Sequence, residues 1–335
     1  MKKAILLVLF PFFLFAQKKE QIKLNYPVKD YTGTTKSFEV IDVRKDKKLN
    51  DIVFRGKYYS FTFPTDNLSQ DIENWFEKTN KKRDKGINDI VLLVEDLNIS
   101  NEVRNKEIFC ILDMKFSTFV KKDNSYYFLK RYDNVISLST KEVGGIPNLF
   151  VENTQKVLQT LMFDTYRAMP LDIAIPENNL IGYNEILKAN YPAFSDNVLK
   201  DGVYLDSQSF FKQTPVENYQ IVKNNGEVIK AVDSNDNKIP ARKFFCYVEN
   251  GKAFKNTQAG FLEVQQDERG FFIEANSSML FPEEIKITPY YFILGPIGAG
   301  IAAGIEFSVK YNKALKDERY AIYIDFLTGE YSFVK

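Results

Sequence analysis

The residues best suited to chemistry stand in one uncharged run, Tyr290 to Gly304, which reads YYFILGPIGAGIAAG. Within it Gly298-Ala299-Gly300-Ile301-Ala302-Ala303 matches the GxGxxA spacing of a dinucleotide loop, in which glycines let backbone N–H groups reach a pyrophosphate at a helix N-terminus. On that pattern Asp325, at the end of a later strand, would take a ribose hydroxyl. Few residues follow Asp325, however, and the earlier segments that would have to complete a parallel sheet read as antiparallel. The same run carries a second spacing, Gly300 to Gly304, the GxxxG that lets membrane helices approach closely. Thr288 to Ile305 is uncharged, but it contains Pro296 and four glycines and meets Glu306 at once, which makes it short for a span. The favoured expectation is structural: Pro296 starts a small-residue helix or tight turn, and Gly295, Gly298, Gly300 and Gly304 allow close packing against the aromatic-rich sheet. Exposed, the same residues would mark a docking site.

The rest of the titratable inventory narrows the chemistry by what it lacks. The sequence contains no histidine, which removes imidazole general bases, Ser-His-Asp and Cys-His nucleophiles, and His-ligated zinc or haem. Two cysteines, Cys110 and Cys246, are too few for a thiolate zinc site. Glu95-Asp96 and Glu283-Glu284 are carboxylate pairs adjacent in sequence, and neighbours on a strand point to opposite faces, which makes them poor acid/base partners. Asp233, Asp236 and Asn237 offer oxygens to a cation but lack the glycine and distal glutamate of an EF-hand loop, so a polar turn is expected. No cofactor and no metal are therefore expected. The chain balances 45 Lys+Arg against 44 Asp+Glu, which gives no electrostatic case for nucleic acid; the basic cluster Lys81 to Lys85 reads as a solvated loop.

The elements that must position these residues divide into two textures, and the fold class expected is α+β. From residue 18 to 170 strands mix with two helices. Phe38–Arg44 and Ile52–Phe63 read as strands, the second with Tyr59, Phe61 and Phe63 on one face. Asp66 or Asn67 caps a helix with Leu68, Ile72, Trp75, Phe76 and Thr79 at helical spacing, and Trp75 is expected as a core anchor. Ile90–Val94 is a short apolar strand. Ile108 to Val120 alternates along a long strand, Lys122 to Ser125 turns, and Tyr126 to Ser139 returns. A second helix opens at Pro147 with Leu158, Leu161, Met162, Thr165 and Met169 on its apolar stripe. This order predicts an antiparallel sheet with both helices on one face. Residues 171–200, with Pro176, Pro192 and the polar Pro176-Glu177-Asn178-Asn179, read as a linker that carries a short helix around Tyr183 to Ala189. Residues 201–335, with turn signals such as Asn224-Asn225-Gly226 and Glu249-Asn250-Gly251, predict an antiparallel β meander or small barrel.

Met1 to Gln17 has the layout of a secretory signal: Lys2 and Lys3, an apolar stretch from Ala4 to Phe15, and Ala16 at the cut. Export to the periplasm or outer membrane follows as the expectation, and in that compartment Cys110 and Cys246 are expected as separately buried thiols, with a bridge between them as the alternative. The Phe-Ala-Gln ending is similar to signal peptides of Bacteroidota-type envelope proteins. Gly202-Val203-Tyr204-Leu205, followed by Phe210-Phe211 and Pro215, resembles a segment of uncharacterised exported proteins of the same bacteria. The order of elements before residue 170 is similar to small α+β domains of Gram-negative envelope lipoproteins. These resemblances imply a cell-envelope module. The function expected is binding or assembly rather than catalysis, with membrane contact through Tyr290 to Gly304 as the alternative. A carboxylate- or lysine-based enzyme would require a buried acid or lysine beside a second titratable group.

Overall fold

The computed structural model describes residues 18–280 and 319–332, apart from 82, 84, 105 and 197, with the backbone alone at Ser277 and Ser278. The chain opens with β1 (Lys18–Gln21), β2 (Thr35–Asp42) and the hairpin β3 (Ile52–Phe54) and β4 (Lys57–Thr62). Ile52–Phe63 was expected as one strand; Arg55 and Gly56, with φ of 49° and 75°, fold it back on itself. Gly56 was the signal in the sequence for this break, since glycine takes a positive φ without steric cost. Helix α1 (Leu68–Thr79) follows, capped by Asn67, whose side chain accepts from the Gln70 N–H. Its Leu68, Ile72, Trp75 and Phe76 are buried, and Trp75 is the expected core anchor.

Three long strands then form the spine: β5 (Asn88–Arg104), β6 (Glu107–Lys122) and β7 (Ser125–Ser139), followed by α2 (Ile146–Thr165) and β8 (Ile175–Pro176). The stretch expected as a short strand at Ile90–Val94 runs on to Arg104, because β6 pairs with it along its whole length. The sheet order is β2-β5-β6-β7-β8, and β2 lies parallel to β5. A purely antiparallel sheet is thereby corrected to a mixed one. The reason is local: α1 and the β3–β4 hairpin fill the connection from β2 to β5 and bring the chain back in the same direction. A smaller sheet, β1-β4-β3, also contains a parallel pair, β1 with β4. In α2 the stripe Leu158, Leu161, Met162 and Thr165 is buried as expected, but Met169 lies past the helix end and is 87% exposed.

Residues 171–200, read as a linker, are packed. They hold α3 (Tyr183–Ala189) and α4 (Pro192–Ser195), and Ile175, Leu180, Tyr183, Leu187 and Tyr191 are buried. Beyond them come β9 (Gly202–Tyr204), α5 (Ser207–Phe211), β10 (Gln220–Asn224), β11 (Glu227–Val232), β12 (Lys238–Pro240), β13 (Cys246–Glu249), β14 (Lys252–Thr257), β15 (Gly260–Gln266), β16 (Phe271–Ala275), α6 (Ser277–Leu280), β17 (Tyr320–Ile324) and β18 (Tyr331–Ser332). Strands β13 to β18 run as neighbours in chain order, with β9 at one edge, all antiparallel, and β10-β11-β12 make a separate small sheet. The molecule is α+β with several sheets, and among the described residues none closes into a barrel. Closure would require the edges β9 and β18 to pair, and they do not.

The core has two main parts, one on each face of the long strands. Ile90, Leu92 and Val94 of β5 pack with α1 and α2, whereas Val91 and Leu93 pack with Phe119, Phe128, Tyr183, Phe210, Phe271 and Phe326. An apolar run without alternation is what a strand covered on both faces needs. Cys110 lies in the first part and Cys246 in the second; both are buried and unpaired.

Candidate functional site

Two irregularities in the long strands bring charge onto the second face. The β5–β6 register shifts between Val94 and Asp96, and Val94 and Leu97 both face the first core, so Glu95 and Asp96 break the alternation. The β6–β7 register shifts between Thr118 and Phe119, and across it Arg131 joins the face that carries Phe128. The two shifts place Glu95, Lys115, Ser117, Arg131 and Asp133 together on a surface that is otherwise aromatic. Adjacent carboxylates on a strand were expected to diverge; a bulge removes that geometric argument at Glu95-Asp96, because strict alternation holds only in an unbroken ladder.

The geometry at this cluster is closed. Ser117 Oγ donates to Glu95 Oε1 at 2.6 Å and lies 2.7 Å from Tyr183 Oη, which itself reaches Glu95 Oε1 at 2.9 Å. Arg131 grips Asp325 bidentately, Nε to Oδ2 at 2.9 Å and Nη2 to Oδ1 at 2.7 Å, and its Nη1 donates to Asn184 Oδ1 at 2.8 Å and Tyr183 Oη at 3.3 Å. Asp325 also accepts from the Leu327 and Thr328 N–H groups at 2.8 and 3.2 Å. Burial, the largest single influence, raises the Asp325 carboxyl, but the Arg131 charge together with the hydrogen bonds from Arg131, Leu327 and Thr328 outweighs it and holds the group below the usual carboxylate range. At the margin Lys115 Nζ bridges Glu95 (3.3 Å) and Asp133 (3.4 Å). Asp133 is pushed up by burial and by the nearby acids Asp325 and Glu95, against the pull of Lys115 and Arg131.

A serine beside a carboxylate and a phenol has the atoms of a nucleophile with a base, yet Ser117 and Tyr183 expose none of their surface. Each proton in the triangle already has an acceptor, and Arg131 directs its donors to three residues on two separate elements. The arrangement ties the long sheet to α3 through Tyr183 and Asn184, and to the β17–β18 turn through Asp325. None of Ser117, Arg131 and Tyr183 is marked in the sequence by spacing. The available signal was one arginine inside the aromatic strand Tyr126 to Tyr132.

Asp325, considered for a ribose hydroxyl, is thus fully engaged, and its strand β17 runs antiparallel to β16, which corrects the dinucleotide pattern. Gly295, Pro296, Gly298, Gly300 and Gly304 lie outside the described residues, as do Glu283 and Glu284. The strands on either side of that stretch do fix where the chain leaves and returns, because Ala275 pairs with Tyr320. Asp233 Oδ1 accepts from the Asn235 and Asn237 N–H groups at 2.9 and 2.8 Å, the polar turn expected there. The buried lysine is Lys255, whose Nζ sits 4.3 Å from the Phe245 ring centroid, 5.6 Å from that of Tyr331, and donates to the Asn256 carbonyl at 3.1 Å. Burial lowers its ammonium. Burial likewise pushes the Cys110 thiol up to about 11, which leaves it unreactive at neutral pH.

On the far side of the first core, two clefts open beside α1. One of about 420 Å³ is lined by Lys19 of β1, Lys47, Lys48 and Leu49 of the β2–β3 loop, Phe61 and Thr62 of β4, and Phe63, Asp66 and Leu68. The other, about 310 Å³, includes Lys23, Pro64, Trp75 and Lys78. Comparison with known proteins finds no family model, no curated protein and no solved structure that matches this chain.

Proposed function

We propose that the protein is a non-catalytic binding or assembly component of the cell envelope, exported by way of Met1 to Gln17 to the periplasm or outer membrane. The resemblance to exported Bacteroidota-type envelope proteins supports the compartment. The observation that carries the binding role is the pairing of β16 with β17, Ala275 opposite Tyr320. It makes residues 281–318 an insertion between neighbouring strands of a seven-stranded sheet. Recognition segments are commonly mounted this way, on loops held by a scaffold that supplies the stability. Here Arg131–Asp325 ties the far end of β17 to the long sheet, so the strand to which the insertion returns is anchored at the end away from it. Gly295, Pro296, Gly298, Gly300 and Gly304 are the contact residues proposed within it.

A membrane-associated version is favoured by the absence of charge from Thr288 to Ile305. Because the insertion starts and ends at paired strands, such contact would enter and leave on one side of the molecule. No helix among the described residues is long and apolar enough to cross a membrane. The deciding experiment replaces residues 283–316 with a short Gly/Ser turn and fractionates cells expressing either chain. The shortened protein is expected to fold, by circular dichroism, and to lose its association with envelope partners or membrane. Identical fractionation and identical cross-linked partners for both chains would overturn the reading.

A further inference from the structure

We propose that the cleft between β1, the β2–β3 loop and the start of α1 is a binding site for a small single-chain amphiphile with an anionic head. The inference is independent of the insertion at 281–318 and of where the protein resides. Its polar rim is basic: Lys19, Lys47 and Lys48 against one carboxylate, Asp66. Lys47 is partly neutralised, since its Nζ lies 3.2 Å from Asp42, which Arg44 also holds. The ammonium groups of Lys19 and Lys48 form no hydrogen bond or ion pair among the described residues. Two unspent ammoniums at the mouth of a cleft attract an anion, and lysine ammoniums, being donors only, suit a compact head group such as a carboxylate.

The body of the ligand follows from the floor. Leu49, Phe61, Phe63 and Leu68 line the cleft beneath the lysines, so a wholly hydrophilic ion would leave apolar surface facing it. A volume of about 420 Å³ holds on the order of a dozen heavy atoms, taking the roughly 30 Å³ that a water molecule occupies in the liquid for each. That is the size of a short acyl chain with its head group and too small for a folded partner. An extended acidic peptide fits less well, because its own N–H and C=O groups need partners, and the side chains here offer mainly positive donors.

The only tryptophan of the sequence, Trp75, lines the adjoining cleft and serves as a reporter. The protein is titrated with octanoate, with octylammonium, which keeps the chain and reverses the charge, and with acetate, which keeps the head and removes the chain. Binding is read by calorimetry and Trp75 fluorescence. Octanoate is expected to saturate, at least about tenfold tighter than either control, and to weaken as salt rises. The double variant Lys19→Glu/Lys48→Glu should lose about tenfold in affinity, the sum expected of two exposed charge pairs. Its melting temperature should be unchanged, and Lys238→Glu, on a separate sheet, should bind as the parent does. Equal binding of octylammonium, equal binding by the double variant, or no saturation would each overturn the proposal. So would lysine-dependent binding to phosphatidylglycerol vesicles without binding to octanoate, which would assign the lysines to a bilayer surface instead.

Discussion

Arg131 and Asp325 form a buried ion pair whose partners depend on each other. Each side chain is less than a tenth exposed, and a buried charge left without its partner costs about 3–5 kcal/mol. Arg131→Met is therefore expected to lower unfolding free energy in urea by roughly that amount, with Asp325→Asn somewhat less because the amide keeps some hydrogen bonds. Replacing both together with apolar residues should recover part of the loss, and a double-mutant cycle measures it. The acids differ in how they respond to pH. Asp325 is held below its ordinary value, so the stability it contributes is present above the unfolded pKa and is lost as pH falls through the lowered folded one. Glu330 is pushed up, first by burial and then by Asp325, so its contribution has the opposite sign: it is present below the unfolded value of about 4.5 and is lost as pH rises through the folded one. Glu330→Gln should accordingly gain on the parent protein as pH is raised from 4 to 7 in parallel urea melts; a constant or shrinking difference would refute the assignment.

At the scale of elements, the junctions matter more than the lengths. Asn67 caps α1 through the Gln70 N–H at 3.2 Å, and Asn67→Ala should cost about 1 kcal/mol, measurable as a lower denaturation midpoint. The β17–β18 turn depends on Gly329, whose φ is +76° and whose missing Cβ would sit 2.5 Å from Ser207 Cβ. Gly329→Ala both strains the backbone and pushes the turn off α5, and the same turn carries Asp325. Loss of stability with a weakened Arg131 pairing is the expected result, seen as reduced coupling between Arg131→Met and Asp325→Asn when the cycle is repeated in the Gly329→Ala background. Much at this scale was legible in the sequence: the Ile108 to Ser139 hairpin, the α1 stripe and the meander turns follow from period-2 alternation, period-3.6 spacing and Asn-Gly dipeptides. The two register shifts were not, because a bulge is decided by what the neighbouring strand presents and leaves no mark in composition, whereas the hairpin at Arg55-Gly56 carried its signal in Gly56.

For the whole molecule, the shared second core is the central fact. Val91, Leu93, Phe119, Tyr126 and Phe128 of the long sheet are buried against residues from 175 to 327. Heating the protein should give one cooperative transition by calorimetry rather than two, and a fragment ending at residue 200 should expose that aromatic face and bind a hydrophobic dye. Two separated transitions would show that the halves fold independently. What the sequence determined by itself was local and compositional: the long hairpin, the two main helices, the α+β class, and the exclusion of imidazole chemistry by the absence of histidine. The tertiary structure alone decided that residues 171–200 are packed rather than exposed, that Glu95, Ser117, Arg131, Tyr183 and Asp325 meet, and that Lys19 and Lys48 share a cleft. Those contacts join positions up to 194 residues apart. Periodicity reports which face of an element is buried, and it carries no information about which distant face will cover it.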